Sequence, residues 1–488
     1  MKNLDITKLT AREMKEKLIS KEISSREIVS AHLDIIEKKE KDINAFITVT
    51  KEEALNAADK IDEKIKNGEK LGPLAGIPIG IKDNIVTKNI KTTCGSKMLE
   101  NFIPPYDATV IERIKAADGI IIGKSNMDEF AMGSSTETSF FGPTKNPLDL
   151  ERVPGGSSGG SAAGVAAYEM ALSLGSDTGG SIRQPASFNG VVGIKPSYGL
   201  VSRYGLVSLA NSLDQIGVMG RNVEDTTLLL ETIIDYDEKD STSIKLDDKN
   251  LMEKLTEDIK GMKIAIPREF FDMKMDSRVR DKVEASIKLF ESLGANIEEI
   301  SLPHIKYALA VYHIISTSEI SSSLSRFDGI RYGYRTKEYE TLDELYMNTR
   351  AEAFGDEVKR RIMVGTYYLS REHKNEYYDK ALKLRTLIIE DFSKAFKNYD
   401  IILSPISPIL PFKFNEKLDN PIDMYTADIF VAPANLAGLP AISIPCGYIE
   451  GLPVGLQLIG DKFQDSNILK AAFAFERHLS LGGEKNEI

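Results

Sequence analysis

Along residues 1–70 the apolar positions recur every three to four residues. Ile28, Val29, Leu33, Ile35 and Ile36 form one stripe, and Ala54, Leu55, Ala58, Ile61 and Ile65 form another between Lys51 and Lys66. That period predicts amphipathic helices, here covering a core. Thr10–Glu13 and Ser24–Glu27 fit capping boxes, in which hydroxyl and carboxylate satisfy each other's backbone N–H groups. From residue 71 to 240 the pattern changes. An apolar run, Ile77, Ile79 and Ile81, ends at Lys82; a helical stretch from Ala108 to Ala117 precedes an apolar strand at 119–123; small residues at 162–167 read as a tightly packed helix before a strand at 170–174. Asn222 opens a further helix through Ile233, and the charged, turn-rich residues 236–256 read as an internal boundary or surface insertion. The alternation then restarts with a strand at 262–266, a helix from Arg278 to Leu293 and a strand at 297–302. Residues 303–395 are mostly helical and polar; short buried strands follow at 401–405, 441–445 and 454–459, then a last helix ending near Leu479 and a tail, 482–488, expected to be disordered. Strands alternating with helices predict an α/β fold with a largely parallel sheet.

Composition narrows the function. A chain of 488 residues is long enough for about three domains on length alone. The formal net charge of −11 argues against a broad basic face for nucleic acid. The two cysteines, Cys94 and Cys446, form no C-x-x-C pair, and neither HExxH nor an EF-hand pattern occurs, so no metal site is expected. The first residues lack an apolar signal core and no run of about 18 apolar residues follows, which predicts a cytoplasmic chain with no membrane role.

The chemistry concentrates between Arg152 and Arg183. One glycine–serine cluster spans Gly155 to Gly160 and a second runs Asp177-Thr178-Gly179-Gly180-Ser181. A flexible linker would share this composition, but would not enclose a packed helix and an apolar strand. A phosphate loop would need Gly-Lys-Ser/Thr after the glycines, which is missing. A serine nucleophile site remains. Gly155 to Gly159 fits the G-x-S-x-G elbow, but the preceding Leu150–Pro154 is a poor strand, and His304, His313, His373 and His478 lie in no motif that marks a base. Lys82 offers another base at the end of its apolar strand. It stands 75 residues before Ser157, and Ser157 stands 24 before Ser181.

A lysine in an apolar strand, then GGSSGG, then D-x-GGSIR at this spacing resembles the amidase signature enzymes. The resemblance implies one large domain built on a twisted mixed sheet with helices on both faces: residues 1–70 a helical segment packed on the core, 71–240 the signature core, and 241–488 the remainder with a helical insertion at about 303–395. It implies a triad with Ser181 as nucleophile, Ser157 as bridging serine and Lys82 as base. It also implies a cis Gly156–Ser157 bond and an oxyanion hole from the N–H groups of Thr178, Gly179, Gly180 and Ser181. The chemistry suits the residues. A serine needs a neighbour to take its proton, and a lysine can do so only when burial brings its pKa down by about 3 units from ~10.4.

Gly123 to Glu137, Asp149 to Pro154 and Ser202 to Leu206 resemble one branch of that family, the A subunits of tRNA-dependent amidotransferases. The likeness runs from about residue 5 to 480. In that branch free glutamine donates ammonia, and the resemblance places Tyr312, Arg361 and Asp428 in its pocket. A zwitterion needs an arginine for its carboxylate and a carboxylate for its ammonium. Val431 stands where threonine is common, Asn189 where cysteine is common, and Tyr168-Glu169 where small residues are usual. The resemblance further implies a heterotrimer with subunits B and C. The partner subunit would use ATP and magnesium on misacylated tRNA, and this chain would need no cofactor. A stand-alone amidase acting on small amides is the competing reading.

Overall fold

The computed structural model describes residues 5–246, 248–417 and 421–481. The expected disordered tail at 482–488 lies outside the described residues.

Eleven strands form one sheet. In chain order they are β1 (Phe46–Val49), β2 (Pro78–Lys82), β3 (Ile120–Ser125), β4 (Leu172–Asp177), β5 (Val192–Lys195), β6 (Gln215–Gly220), β7 (Lys263–Pro267), β8 (Asn296–Ile300), β9 (Ile401–Pro405), β10 (Ala441–Ile449) and β11 (Leu452–Gly460). Their spatial order is β1-β3-β2-β4-β6-β5-β10-β11-β9-β7-β8, so strands from both ends of the chain share the sheet. The sheet is mixed, as the resemblance implies, but the expectation of largely parallel pairing needs correction. Only β3-β2-β4 and β9-β7-β8 are parallel blocks. The six remaining neighbour pairs are antiparallel. The reason is local: β10 and β11 form a hairpin through Glu450 and Gly451, both at positive φ, and a two-residue turn of that hand joins antiparallel strands.

Successive residues of a strand point to opposite faces, and the core divides accordingly. Ile264, Leu403, Ile442 and Leu458 belong to one apolar cluster, while their neighbours Ala265, Ile402, Ala441 and Ile459 belong to another. The first is covered by helices including Ser25–Ile43, Ser277–Ser292 and Asp465–Leu481. The second lies under Ala308–Ser323, Asp356–Leu369 and Tyr378–Ala395, which fall between β8 and β9. Both N-terminal capping boxes form, at Thr10 and Ser24, and the helices they open bury Met14, Leu18, Ile28, Val29 and Ile36. Among the described residues, no helix is long and apolar enough to cross a membrane.

Candidate active site

The carboxyl ends of β2 and β4 meet at the site. The strands run parallel with Ile81 opposite Leu174, so Lys82 closes β2 beside the last turn of β4. Crevices beyond the carboxyl ends of parallel strands are where α/β sheets place their ligands. Beyond β4 the chain makes the second glycine–serine loop and enters helix Arg183–Asn189. The first glycine–serine cluster enters helix Gly159–Ala166, and the Gly156–Ser157 bond is cis.

Lys82 is fully buried. Its Nζ lies 2.7 Å from Ser157 Oγ, 3.0 Å from Ser176 Oγ and 3.3 Å from the Ser176 carbonyl oxygen. Burial pushes the Lys82 ammonium down to about 7, against the opposing pull of Asp128, Asp177 and Asp214. A lysine with that pKa is substantially neutral at neutral pH and can accept the Ser157 proton. Ser157 is buried, whereas Ser181 keeps slight exposure. The two serine segments are tied through the main chain, with Ser158 N–H donating to the Ser181 carbonyl at 3.2 Å. Among the described residues Ser181 Oγ makes no hydrogen bond, so Lys82–Ser157 is a closed link and Ser157–Ser181 an open one. None of the four candidate histidines joins this cluster. His304 pairs with Asp391, His478 Nδ1 meets the Ala474 carbonyl of its own helix, and His313 and His373 pack against Tyr425 and Tyr367.

The second loop is held from behind by charge. Asp177 Oδ2 and Oδ1 receive Arg183 Nε and Nη2 at 3.0 and 3.1 Å, and both groups are fully buried. Burial alone would raise the Asp177 pKa; the Arg183 guanidinium outweighs it and holds the carboxyl well below its usual range. Asp177 Oδ1 also accepts the Gly180 N–H at 2.8 Å. That corrects one expectation: the Gly180 amide is committed to the loop itself and does not face an oxyanion. The N–H groups of Gly179 and Ser181 carry no partner among the described residues. Thr178 is fixed by its hydroxyl, which donates to Asp214 at 2.7 Å.

Both glycines of the loop are required by close approach. A Cβ on Gly179 would fall 2.3 Å from the Tyr312 ring, and one on Gly180, at φ +125°, would fall 2.2 Å from Val431 Cγ2. The loop therefore touches the three residues expected to bind an amino acid, or their immediate neighbours. Tyr312 is buried on helix Ala308–Ser323, and its hydroxyl has no partner among the described residues. Arg361, buried on Asp356–Leu369, donates through Nε to Glu357 at 2.8 Å and stacks over Tyr425, 5.3 Å from the ring centre. Its two terminal nitrogens make no hydrogen bond among the described residues. Asp428 receives a short hydrogen bond from Ser134 on Oδ2, whereas its Oδ1 is buried without a partner. Burial raises the Asp428 carboxyl to about 7, against the Ser134 hydrogen bond and the Arg361 charge.

Several residues of the site carry no sequence signal. Gln184 accepts the Gly156 N–H at 3.0 Å and donates to the Ser134 carbonyl at 3.1 Å, joining the bridging-serine loop to the pocket. Asp128 holds the Thr136 N–H and the Thr138 hydroxyl. Its Oδ2 lies 2.1 Å from where a Gly156 Cβ would stand. Ser176, Asn84 and Asp214 are likewise single polar residues among apolar ones. Among the described residues, no group of His, Cys, Asp and Glu side chains could hold a metal ion.

The site's residues recur in known proteins. Residues 27–469 match the protein family described as Amidase. The A subunit of the glutamyl-tRNA(Gln) amidotransferase of Carboxydothermus hydrogenoformans is 56% identical over 475 residues, spanning 97% of this chain and 98% of that protein. Its counterpart in Geobacillus thermodenitrificans is 55% identical over 96% of each chain. Among solved structures, the A subunit of the glutamyl-tRNA(Gln) amidotransferase from Thermotoga maritima superposes with a TM-score of 0.80 at 42% identity, covering 98% of this chain and 96% of that one. A bacterial aryl acylamidase of the amidase signature family superposes with a TM-score of 0.85 at 25% identity over 97% of each chain. A buried lysine joined to the bridging serine, a nucleophile loop held by a buried aspartate–arginine pair, and this likeness along nearly the whole length lead to one assignment: the chain belongs to the amidase family.

Proposed function

We propose that this chain is the glutaminase subunit of a tRNA-dependent amidotransferase. The observation that carries the reading is the state of Asp428 and Arg361: one buried carboxylate oxygen lacks a partner, and two guanidinium nitrogens are uncommitted, beside the Gly179–Gly180 loop. A free amino acid supplies both missing charges; a simple amide supplies neither. Tyr312 lies against the same loop and completes the pocket wall.

In this mechanism Lys82, neutral, takes the Ser157 proton as Ser157 takes the Ser181 proton. Ser181 Oγ attacks the glutamine side-chain amide carbon. The N–H groups of Gly179 and Ser181, with the adjoining Thr178 amide, receive the oxyanion. Collapse breaks the C–N bond, and Ser157 returns a proton to the leaving nitrogen. Ammonia departs and a γ-glutamyl ester remains on Ser181. Water, activated through the same relay, hydrolyses it to glutamate and free Ser181.

The relatives' name supplies the rest of the reading: ammonia passes to a partner subunit that amidates glutamate on misacylated tRNA(Gln) using ATP and magnesium. The complex is a heterotrimer with subunits B and C, and this chain needs no cofactor of its own. Its acidic balance is consistent with leaving tRNA to a partner.

The test is ammonia release from glutamine by the chain with its partner subunits, ATP and Glu-tRNA(Gln), for wild type and Ser181→Ala. Release that rises with partners and tRNA and disappears in the variant supports the proposal. Turnover of simple amides without partners and without use of glutamine would replace it with a stand-alone amidase.

A further inference from the structure

A lysine that acts as a base must do more than lose its charge. Its single lone pair has to face the hydroxyl that will give up a proton, and its two remaining hydrogens have to be held elsewhere. Around Lys82 the acceptors are few: Ser157 Oγ, Ser176 Oγ and the Ser176 carbonyl. With the lone pair toward Ser157, the two hydrogens fall on the two oxygens of Ser176.

Ser176 could defeat this arrangement. Its hydroxyl lies 3.0 Å from Nζ and carries a proton of its own. Turned toward the lysine, that proton would occupy the lone pair that Ser157 needs. Asn84 lies on the other side, with Nδ2 2.9 Å from Ser176 Oγ. With Asn84 and Lys82 both donating, the two lone pairs of Ser176 Oγ are filled and its proton is directed away from Nζ. The opposite orientation of the Asn84 amide would hold the same hydroxyl through its proton and leave the lysine equally free. Asn84 is itself anchored, its backbone carbonyl accepting the Val207 N–H at 2.8 Å, and the Ser176 carbonyl also receives Ser158 Oγ at 3.1 Å. All of these polar side chains are buried.

We propose that Ser176 and Asn84 are positioning residues that aim the Lys82 lone pair at Ser157 and keep every other hydroxyl proton off it. The proposal rests on the reading of Lys82 as the base. Neither residue touches substrate; both act through the lysine. The charged and titratable groups acting on Lys82 are Asp128, Asp177, Asp214 and Cys94, and none of them contacts Nζ directly.

The experiment is the pH profile of glutaminase kcat and kcat/KM in the complex with partner subunits, for wild type, Ser176→Ala, Ser176→Thr, Asn84→Asp and Lys82→Ala. Ser176→Ala removes an acceptor that serves the ammonium more than the amine. Its kcat is expected to fall about 10- to 100-fold with KM little changed, and its acidic limb to move to lower pH by on the order of one unit. Ser176→Thr keeps the oxygen and restores the wild-type limb. Asn84→Asp places a carboxylate behind Ser176 and moves the limb the other way, to higher pH, which loss of folded protein cannot imitate. Limbs that stay at the wild-type pH in both Ser176→Ala and Asn84→Asp, with only the amplitude reduced, would overturn the proposal. If Lys82→Ala retains both rate and profile, the base assignment itself fails; if Lys82→Ala is inactive while the Ser176 and Asn84 variants keep the wild-type limb, only the positioning role fails.

Discussion

Arg183 and Arg361 are both buried guanidinium groups near the same glycine loop, and they are satisfied in different ways. Arg183 commits all five of its donors to the protein: two to Asp177, and one each to the Val431 carbonyl, Gln457 and Asn435. Arg361 commits Nε to Glu357 and one face to Tyr425, and holds its terminal nitrogens back. Asp177 and Asp428 repeat the contrast. The first is fully matched and held ionised, while the second has an orphaned oxygen and a pKa raised to about 7. A buried polar group without a partner costs free energy that folding does not recover. Where such groups converge in one pocket, a ligand of the complementary charges is the simplest explanation. The matched pair builds the loop; the unmatched pair binds.

The strongest way to break this comparison is to remove each arginine. Arg183→Ala strands Asp177 as a lone buried charge, and a loss of about 3–5 kcal/mol of stability is expected, read as a large fall in the denaturant midpoint. Arg361→Ala should leave that midpoint nearly unchanged while raising KM for glutamine roughly 10- to 100-fold, the worth of a hydrogen bond to a charged group. If the two variants show the same stability loss, the distinction between them is wrong.

A subtler division is visible in the pH dependence. Lys82 works when neutral, and burial brings it down to about 7; Asp428 binds an ammonium when ionised, and burial raises it to about 7. Both functions therefore fail on the acid side. Glutamine kcat/KM, which reports the free enzyme, should fall below pH ~7 with a slope approaching two. Asp428→Asn should reduce the slope to one along with the overall rate. Ser134→Ala is the smallest change. It removes the hydrogen bond that lowers the Asp428 pKa, so one of the two steps should move up by about one pH unit, measured from the same profile.

Local patterns in the sequence made much of this readable. The two capping boxes, the isoleucines before Lys82 and both serine clusters are short-range signals, and the structure has each in its expected element. Strands β5 and β6 were not legible. Their sequences carry glycines at Gly193 and Gly217, where a Cβ would lie 2.6 Å from Ala186 Cβ and 2.1 Å from the Ile194 carbonyl. Close approach, and not alternation, selected those residues, so no period of two appears. The predominance of antiparallel pairing was hidden for a related reason. Alternation of strands and helices along the chain says nothing of which strands become neighbours, and β5 pairs with β10 across most of the sequence. In the site, the triad announces itself by spacing, but its supports do not. Asn84, Ser176 and Gln184 are single polar residues whose partners are distant in sequence; only the folded chain shows what each one holds.

The partners of Arg183 have a consequence in time. Val431, Asn435 and Gln457 lie 248, 252 and 274 residues further along the chain. A ribosome adding roughly 5–20 residues per second passes the nucleophile well before it makes them. Until Gln457 has emerged, the guanidinium that braces the loop lacks part of its support, although Lys82, Ser157 and Ser181 are all already synthesised. The nascent polypeptide thus carries its reactive groups early but cannot set them, and hydrolytic competence arrives only near the end of translation.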